Sequence, residues 1–402
     1  QTVDKIAKEL IELCGLAINA KEKEKPSSVI CPKLFPMVSD CNILMPLLST
    51  LTYNKTKNED IKIHKMGATV VFLNSLQKPR KIEFKDYTGR TYNYLCKQDE
   101  DLRKDMRMME FASFINLILK HDRRCSERNL KIVTYAVICL NEKCGIIEWV
   151  NNTESFRIVV SKMLQNQGKA IDMDYIRRVY VDYDKPDAKF IEKRKAEFEK
   201  ILKMYPPVLH IWFLSHFRDV NQWFNSRLLY TRSCALWSMI GYIIGLGDRH
   251  AENILLNNKT GSCVHVDFNL LFGRGKHLTV PEIVPFRLTQ NIVDGFGVLK
   301  TNGCFREVSV LIMETLMAKK EKLLSVLQTF VHDPLLEWLK GARQAVESTA
   351  KLTLKEVERR IIGMTDDKTG FLSPESLVDQ LISQATDIDK LSAMYIGWQS
   401  FL

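Results

Sequence analysis

The hydrophobic pattern of the chain changes near residue 150, and this change restricts the fold more than any other feature. Within 66–150, apolar and polar residues alternate in short runs such as KIEFK at 81–85, which predicts strands around one long helix at 101–119. Turn residues at 86–89 predict a hairpin between strands at 81–85 and 91–97, and two more strands are predicted at 131–140 and 145–150. After residue 150 the apolar residues recur mainly at helical spacing, with two short strands predicted at 254–256 and 263–268. The sequence therefore predicts an α+β fold with a small sheet-containing lobe and a larger, mainly helical lobe.

Composition is that of an ordinary globular protein and leaves the partners open. The 402 residues are 46% hydrophobic and 26% charged, and the net charge of +10 favours a nucleotide, a nucleic acid or a membrane surface without choosing among them. The longest nearly apolar run, 235–246, is too short to cross a bilayer. The ten cysteines form no CxxC pair, which favours a reducing compartment over a disulfide scaffold or a zinc site. Because the chain begins with Gln1, we expect a fragment of a longer protein.

The segment GDRHAEN at 247–253, followed by Asp267, has the pattern of a phosphoryl-transfer site. Transfer from ATP needs one carboxylate near the attacking hydroxyl, and an oxygen donor with a second carboxylate to hold magnesium against the phosphates. Asp248 precedes Asn253 by five residues, which is the spacing of the catalytic Asp and metal-binding Asn in protein kinases. A predicted hairpin brings Asn253 and Asp267 together. We therefore predict Asp248 as the catalytic base, and Asn253 and Asp267 as ligands of Mg²⁺, with Mn²⁺ as a substitute.

GLGDRHAENILL, HVDF and VPEIVPFRLT together resemble the catalytic and activation loops of the phosphatidylinositol 3-kinase-related protein kinases. The order Asp-Arg-His reverses the His-Arg-Asp of ordinary protein kinases, and Asp267-Phe268-Asn269 lacks their final glycine. The resemblance implies the two-lobed protein-kinase-like fold and binding of ATP with magnesium between the lobes. It also implies that His250 acts beside Asp248, stabilising charge or moving a proton at the acceptor hydroxyl.

The same resemblance implies phosphate-binding residues in the smaller lobe. Ser75, within SLQKP, would face the nucleotide phosphates. Lys97 would act as a catalytic residue that grips the phosphates through its fixed positive charge. Glu100 and Asp105, at the start of the following helix, would orient Lys97. An alternative, that these acids only supply favourable charge at a helix N-terminus, is equally compatible with the sequence.

The resemblance also implies an adenine pocket at the junction between the lobes. Trp149 would stack on adenine, while backbone groups of Glu148 and Val150 would hydrogen-bond the edge of the base. Three further apolar residues would form walls of the same pocket, namely Leu95, Leu255 and Val266. Without the resemblance these three positions, and the tryptophan itself, would be interpreted as ordinary core.

Resemblance to the family extends over almost the whole chain and suggests five parts. LSAMYIGWQSFL is similar to the FATC segment that ends chains of this family, and the helical pattern at 3–18 is similar to the end of its FAT region. A further helical stretch is predicted near 41–51. The expected parts are a lead-in at 1–66, the kinase N-lobe at 67–150, the C-lobe at 151–339, a regulatory spacer at 340–369 and the FATC segment at 370–402.

Within the family, EWVNNT, VPEIVPFRLT, FVHDPLLEW and MYIGW together resemble the branch that acts in the checkpoint for DNA damage and replication stress. This narrower resemblance implies protein substrates at serine or threonine followed by glutamine, with the loop 267–286 shaping that choice. It also implies a nuclear location, regulatory and recruiting protein partners that bind regions outside this chain, contact with DNA through those partners, and no membrane.

Three other functions are compatible with parts of the sequence. A lipid kinase of the parent family would share the site, but phosphoinositide head groups need clustered basic side chains, and the activation loop offers only Arg274, Lys276 and His277. An inactive scaffold would not need every polar group that transfer requires. Direct nucleic-acid binding is suggested by charge alone, and the basic run 189–203 is interleaved with glutamates at helical spacing, which is typical of a solvated face. A Ser/Thr protein kinase is the prediction.

Overall fold

The computed structural model describes most of the chain. The described residues are 2–16, 24–39, 42–46, 61–73, 78–181, 188–331, 343–364 and 370–402. The chain divides into two compact units, the first formed by Gln1–Ser113 with Val133–Asn151 and the second by Phe114–Ile132 with Asn152–Leu402. Each unit is described by itself below.

The first unit is built on an antiparallel sheet. Its strands are β1 (Glu24–Pro26), β2 (Lys65–Met66), β3 (Thr69–Phe72), β4 (Arg80–Lys85), β5 (Thr91–Gln98), β6 (Val137–Asn141) and β7 (Cys144–Glu148). The strand order is β1-β3-β4-β5-β7-β6, and β2 pairs with β4. The accompanying helices are α1 (Thr2–Gly15), α2 (Ser27–Ile30), α3 (Leu34–Met37) and α4 (Arg103–His121), whose later residues belong to the second unit.

The β4–β5 hairpin forms where the sequence predicts it. The Asp86 carboxylate accepts hydrogen bonds from the backbone N–H of Thr88 at 2.8 Å and of Arg90 at 2.9 Å, and Gly89 supplies the positive φ of +84° that the turn requires. Alternate residues of β4 are buried, namely Arg80, Ile82 and Phe84, so one face of the strand packs into the core. Helix α1 covers that core, with Leu13 among its most deeply buried side chains.

The second unit is mainly helical. Its helices are α5 (Arg123–Glu127), α6 (Phe156–Asn166), α7 (Met173–Val181), α8 (Ala188–Met204), α9 (Leu209–His216), α10 (Val220–Ile244), α11 (Gln290–Gly295), α12 (Cys304–Ala318), α13 (Lys320–Val331), α14 (Arg343–Ile361), α15 (Pro374–Thr386) and α16 (Ile388–Ala393). A small antiparallel sheet has the order β10-β9-β8, formed by β8 (Thr153–Ser155), β9 (Ile254–Asn257) and β10 (Cys263–His265). Short 3₁₀ turns lie at Arg274–His277, Lys300–Asn302 and Ile396–Trp398.

Helix α10 is the central element of the second unit. It begins at Asp219, whose carboxylate caps the N–H of Gln222 at 2.9 Å, and it ends at Gly245, whose left-handed conformation lets its N–H reach the last-turn carbonyls. Within it, Trp237 stacks on His265 of β10 with 4.6 Å between ring centroids, and on Phe268 with 5.7 Å. These contacts fix the small sheet against the helix and place the loop 247–253 directly after it.

Three predicted elements differ from the structure. The strand predicted at 131–140 is observed only from Val137, because the backbone N–H and C=O of Ile132 are paired with the side-chain amide of Asn116 instead of a strand. The strand predicted at 263–268 ends at His265, because Asp267 has a left-handed φ of +62°. Of the helix predicted near 41–51, residues 42–46 form no helix and Leu44 instead makes an antiparallel bridge with Lys62, and the remainder lies outside the described residues.

Two further predictions concern the environment of the chain. In the part that the structure describes, no helix is long and apolar enough to span a membrane. The nine cysteines within that part all carry free thiols, and seven of them are buried.

Candidate active site

The loop 247–253 is held between the end of α10 and the start of β9. Strands β9 and β10 pair with Ile254 opposite His265, and the ladder continues because the N–H of Val266 donates to the C=O of Asn253 at 3.1 Å. Asp267 is therefore one residue beyond the partner of Asn253. The hairpin expected from the sequence is present, and it brings together the two segments that carry the predicted metal ligands.

Asp248 is fixed through its backbone. It has a left-handed φ of +57°, and its N–H donates to the carboxylate of Glu282, with 2.8 Å to Oε1 and 3.0 Å to Oε2. A Cβ at Gly247 would lie 2.6 Å from Oε2 of Glu282, so this approach requires glycine. The Asp248 side chain keeps 38% of its surface exposed. Its carboxylate is therefore accessible while its backbone is rigidly held.

His250 faces Asp248 as a neutral imidazole. Its Nδ1 accepts the backbone N–H of Glu252 at 3.2 Å, so the proton belongs on Nε2, which lies 3.9 Å from Oδ1 of Asp248. Burial lowers the pKa of His250, in opposition to the Asp248 carboxylate, which raises it. This tautomer directs an N–H towards the side where the acceptor hydroxyl is predicted to bind.

Asn253 and Asp267 provide oxygen donors that suit magnesium. The buried side chain of Asn253 donates through Nδ2 to the C=O of Asp248 at 2.9 Å, which leaves its amide oxygen as an acceptor. One carboxylate oxygen of Asp267 accepts from Nδ2 of Asn269 at 2.7 Å. The predicted site thus offers one amide oxygen and one carboxylate. Magnesium sites that include nucleotide phosphates and water have this character.

Arg249 connects the loop 247–253 to the residues that follow β10. Its buried guanidinium donates to the backbone oxygens of Gly247 at 2.9 Å and Val266 at 2.8 Å, and also to that of Asp267. Three carbonyls from two loops are thereby bound to one planar, rigid donor group. Arg249 was not predicted as a site residue, because an arginine that reaches backbone oxygens leaves no spacing pattern in the sequence.

In the first unit, Lys97 and Glu100 form the ion pair expected from the sequence. Nζ of Lys97 lies 2.9 Å from Oε2 of Glu100, with 14% and 7% of the two side chains exposed. Asp105 is buried in the first turn of α4. Its predicted part in orienting Lys97, and the phosphate-binding role of Lys97 itself, stay predictions.

The predicted hinge residues follow β7. The N–H of Glu148 donates to the C=O of Ala136 at 2.8 Å, and that of Trp149 donates to Asn93 at 2.8 Å. The N–H of Glu148 is therefore already paired within the sheet. The Trp149 ring has the Lys81 ammonium 4.8 Å from its centroid and, like Val150, is half-buried.

The remaining predicted site residues are three apolar residues and Ser75. Leu95, Leu255 and Val266 are half-buried, although their strand neighbours Tyr94, Cys96, Ile254 and Leu256 are fully buried. They therefore lie on the more open face of their strands, where a ligand could contact them. Ser75 lies outside the described residues.

Sequence reasoning also missed Glu282 and Arg287. Both lie in VPEIVPFRLT, a segment that carried the resemblance without any assigned role. Glu282 binds the backbone of Asp248, and Arg287 donates to the C=O of Arg249 at 3.4 Å. The one sequence feature that could have indicated them is that each is a charged residue within a mainly apolar segment.

Comparison with known proteins decides the family. Residues 91–340, more than half of the chain, match the family "Phosphatidylinositol 3- and 4-kinase". The chain belongs to this family. Residues 371–402 match the FATC domain, so the resemblance to phosphatidylinositol 3-kinase-related kinases that end in a FATC segment is confirmed.

Curated relatives from the family carry protein-kinase names. "Protein kinase rad3" of Schizosaccharomyces pombe is 38% identical over 98% of this chain, and "Serine/threonine-protein kinase ATR" of Oryza sativa subsp. indica is 41% identical over 82%. The matches cover only 17% and 12% of those relatives, respectively. This chain therefore corresponds to a small part of each.

Solved structures support the fold prediction. The structure titled "FAT and kinase domain of CtTel1" matches the whole of this chain with a TM-score of 0.89 and 29% identity, over 28% of its own length. The predicted α+β kinase fold, with a sheet-containing N-terminal region and a mainly helical remainder, is confirmed.

Proposed function

We propose that this chain is the catalytic part of a serine/threonine protein kinase that transfers the γ-phosphoryl group of ATP to a protein hydroxyl. The observation that carries the proposal is the backbone arrangement around Asp248, Asn253 and Asp267, which one hairpin and one arginine hold together. The protein-kinase names of the relatives support the same reaction.

Asp248 would orient the acceptor hydroxyl and accept its proton. Its carboxylate is accessible and its backbone is immobilised by Glu282, which suits a group that must hold a nucleophile in line with the phosphorus. His250 would donate its Nε2–H to the oxygen on which charge develops. Its lowered pKa keeps the imidazole neutral near pH 7, so it would act as a hydrogen-bond donor without adding a net charge.

The nucleotide would be held by the residues that the family resemblance assigns to it. Lys97, paired with Glu100, and Ser75 would bind phosphates, and Trp149 with the backbone of Glu148 and Val150 would bind adenine. Asn253 and Asp267 would hold Mg²⁺, which can be replaced by Mn²⁺. When bound, the cation would neutralise charge on the phosphate oxygens during transfer.

The finer assignments follow the checkpoint branch. We propose Ser/Thr-Gln acceptor sites, selected by the loop 267–286, and a role in DNA-damage and replication checkpoint signalling in the nucleus. An ATRIP-like recruiting subunit would bind regions outside this chain, and contact with DNA would be indirect. The boundaries at 67–150, 151–339, 340–369 and 370–402 are proposed as N-lobe, C-lobe, regulatory spacer and FATC segment.

Replacement of Asp248 tests the proposal. In Asp248→Ala we expect transfer to an SQ-containing peptide to fall by about a thousandfold or more, because the proton acceptor is lost. Nucleotide affinity should change by less than about threefold, because Asp248 is not proposed to bind ATP. The matched control is Asp174→Ala, at an exposed aspartate of α7 that pairs only with Arg177 among the described residues. Equal activity in Asp248→Ala and the parent would reject the assigned base and favour another site.

A phosphoinositide kinase is the second candidate, favoured by the family description itself. The basic residues Arg274, Lys276 and His277 are exposed on one 3₁₀ turn of the activation loop. Incubating the protein with an SQ peptide, the same peptide with alanine for glutamine, and phosphoinositide vesicles separates the possibilities. We expect phosphate on the SQ peptide alone. Transfer only to lipid would establish the second candidate, and no transfer with intact ATP binding would indicate a scaffold.

A further inference from the structure

Arg287 is a buried cation that is surrounded by backbone oxygens from the end of the FATC segment. Only 4% of the residue is exposed. Its guanidinium donates to the carbonyls of Trp398 at 2.6 Å, Gln399 at 2.8 Å and Leu402 at 3.5 Å, and the Trp398 ring lies 4.4 Å from it. Burial lowers the pKa of Arg287 to about 9, so the group is still protonated at neutral pH and needs these acceptors.

The same guanidinium also reaches the loop that contains Asp248. Nη1 of Arg287 donates to the C=O of Arg249 at 3.4 Å, besides its bond to Trp398. Arg249 in turn binds the backbone oxygens of Gly247, Val266 and Asp267. A continuous line of contacts therefore runs from the last residues of the FATC segment to the backbone on either side of Asp248 and at Asp267.

These contacts end at two residues whose backbone conformation is energetically unfavourable. Asp248 and Asp267 both have left-handed φ angles, +57° and +62°. Residues other than glycine hold this conformation only when their surroundings enforce it. The carbonyl of Asp267 is bound by Arg249, and the carbonyl of Arg249 is bound by Arg287. Arg249 also binds the carbonyl of Gly247, so it acts on the peptide unit before Asp248 and on the one after Asp267, while Arg287 fixes the carbonyl of Arg249 itself.

We propose that Arg249 and Arg287 form an arginine relay, in which Arg287 is a positioning residue that uses the FATC carbonyls to hold Asp248 and Asp267 in place. Only the kinetic consequence of the relay rests on the proposed kinase function. Its structural consequence, protection of the two loops, can be measured without any activity.

A second arginine provides a matched control for general FATC docking. Arg306 of α12 binds Asp379 of α15 through two parallel bonds, Nε to Oδ1 at 2.6 Å and Nη2 to Oδ2 at 2.7 Å. Its described hydrogen bonds reach only Asp379 and Glu307, and none reaches the loops at 247–253 or 266–269. Arg306 therefore anchors the FATC segment without touching the relay.

Hydrogen exchange in the full-length protein tests the relay directly. Arg287→Lys keeps the positive charge, but a lysine cannot bind several carbonyls at once as arginine does. In this variant the amides of 247–253 and 266–269 should exchange about tenfold faster than in the parent. In Arg306→Lys the faster exchange should be confined to α15. Equal exchange of both loops in Arg287→Lys and the parent would overturn the relay. If Arg287→Lys does not fold, Trp398→Phe, which removes the indole from the guanidinium and also its interaction with Glu282, should speed exchange of the loops by about threefold. Unchanged loops in Trp398→Phe would also count against the relay.

Steady-state kinetics test the consequence for transfer. For Arg287→Lys we expect kcat to fall about tenfold, with a smaller rise in KM for ATP, because Asp248 is displaced together with Asp267, which is proposed to hold the metal of the nucleotide. Arg306→Lys should retain the parental kcat. A rise in KM alone, or equal losses in both variants, would indicate general FATC packing and reject the positioning role. If the parent protein shows no kinase activity, the proposed function is rejected. Hydrogen exchange of the two loops would still show whether the relay exists.

Discussion

At the scale of single residues, the candidate site depends on backbone atoms as much as on side chains. Asp248 is held by Glu282 through its N–H, and Asp267 is held by Arg249 through its carbonyl. The identities of Asp248, Asn253 and Asp267 could be predicted because their spacing is a local property of the sequence. Glu282 could not be predicted, because its contact spans 34 positions and depends on the folded activation loop.

Replacement of Glu282 should separate its charge from its hydrogen bonds. Glu282→Gln keeps an acceptor for the Asp248 N–H, so kcat should fall by less than about threefold. Glu282→Ala leaves that N–H unpaired in a largely buried position, which costs about 1–3 kcal/mol and should lower kcat by about 10- to 100-fold. Peptide phosphorylation by the two variants measures the difference. Equal losses would show that the charge, and not the backbone bond, is what matters.

His265 should make stability depend on pH in the mildly acidic range. Burial against Trp237 lowers its pKa well below the usual value, so below pH ~6.5 the unfolded chain takes up a proton that the folded chain does not. The free energy of unfolding should therefore fall as the pH drops, by about 1 kcal/mol between pH ~6.5 and ~5.5 from this residue. Urea unfolding of the parent and of His265→Phe over this range tests it. A parallel pH dependence in the two proteins would contradict the assignment.

At the scale of secondary-structure elements, the hairpin β9–β10 and the helix α10 create the site by register and packing. The pairing of Ile254 with His265 determines which residues of the two loops are neighbours, and Trp237 holds that pair against the helix. The strands and the helix could be predicted from periodicity. The late start of β6 and the early end of β10 could not, because the side chain of Asn116 pairs with the backbone of Ile132 and Asp267 adopts a left-handed φ of +62°.

Helix α1 should contribute substantially to the stability of the first unit. Leu13 is 1% exposed in the core beneath the helix, so Leu13→Ala should lower the free energy of unfolding by about 3 kcal/mol through lost burial and a residual cavity. Val3, on the same helix, is 60% exposed, and Val3→Ala should cost less than about 0.5 kcal/mol. Denaturant unfolding of the two variants provides the comparison. Similar losses would mean that α1 does not pack as described.

At the scale of the whole molecule, the net charge of +10 is partly offset by ion pairs among the residues that the structure describes. The charged helix α8 offsets its cations locally: Lys200 pairs with Glu197 at 2.6 Å, and Lys195 pairs with Asp389 at 2.8 Å. Such pairs are solvated and contribute little to stability, but they reduce the positive potential that a nucleic acid would meet.

We therefore expect only weak, non-specific DNA binding by the 402-residue chain. The dissociation constant should be about 10⁻⁴–10⁻⁶ M at physiological salt and should rise steeply as salt is added. Fluorescence anisotropy with two unrelated duplexes, at several salt concentrations, tests this. Nanomolar affinity, or a clear preference for one duplex, would restore direct DNA recognition as a function.

The sequence by itself determined the two hydrophobic periods, the family and the acid–amide–acid set, because each is encoded within a few neighbouring residues. Only the tertiary structure decided which backbone groups those residues depend on. Arg287 and Trp398 are 111 positions apart, and Arg249 and Asp267 are 18 apart, yet each pair shares a hydrogen bond. Such contacts arise when buried polar groups must find partners in a packed interior, and that requirement leaves no periodic signal along the chain.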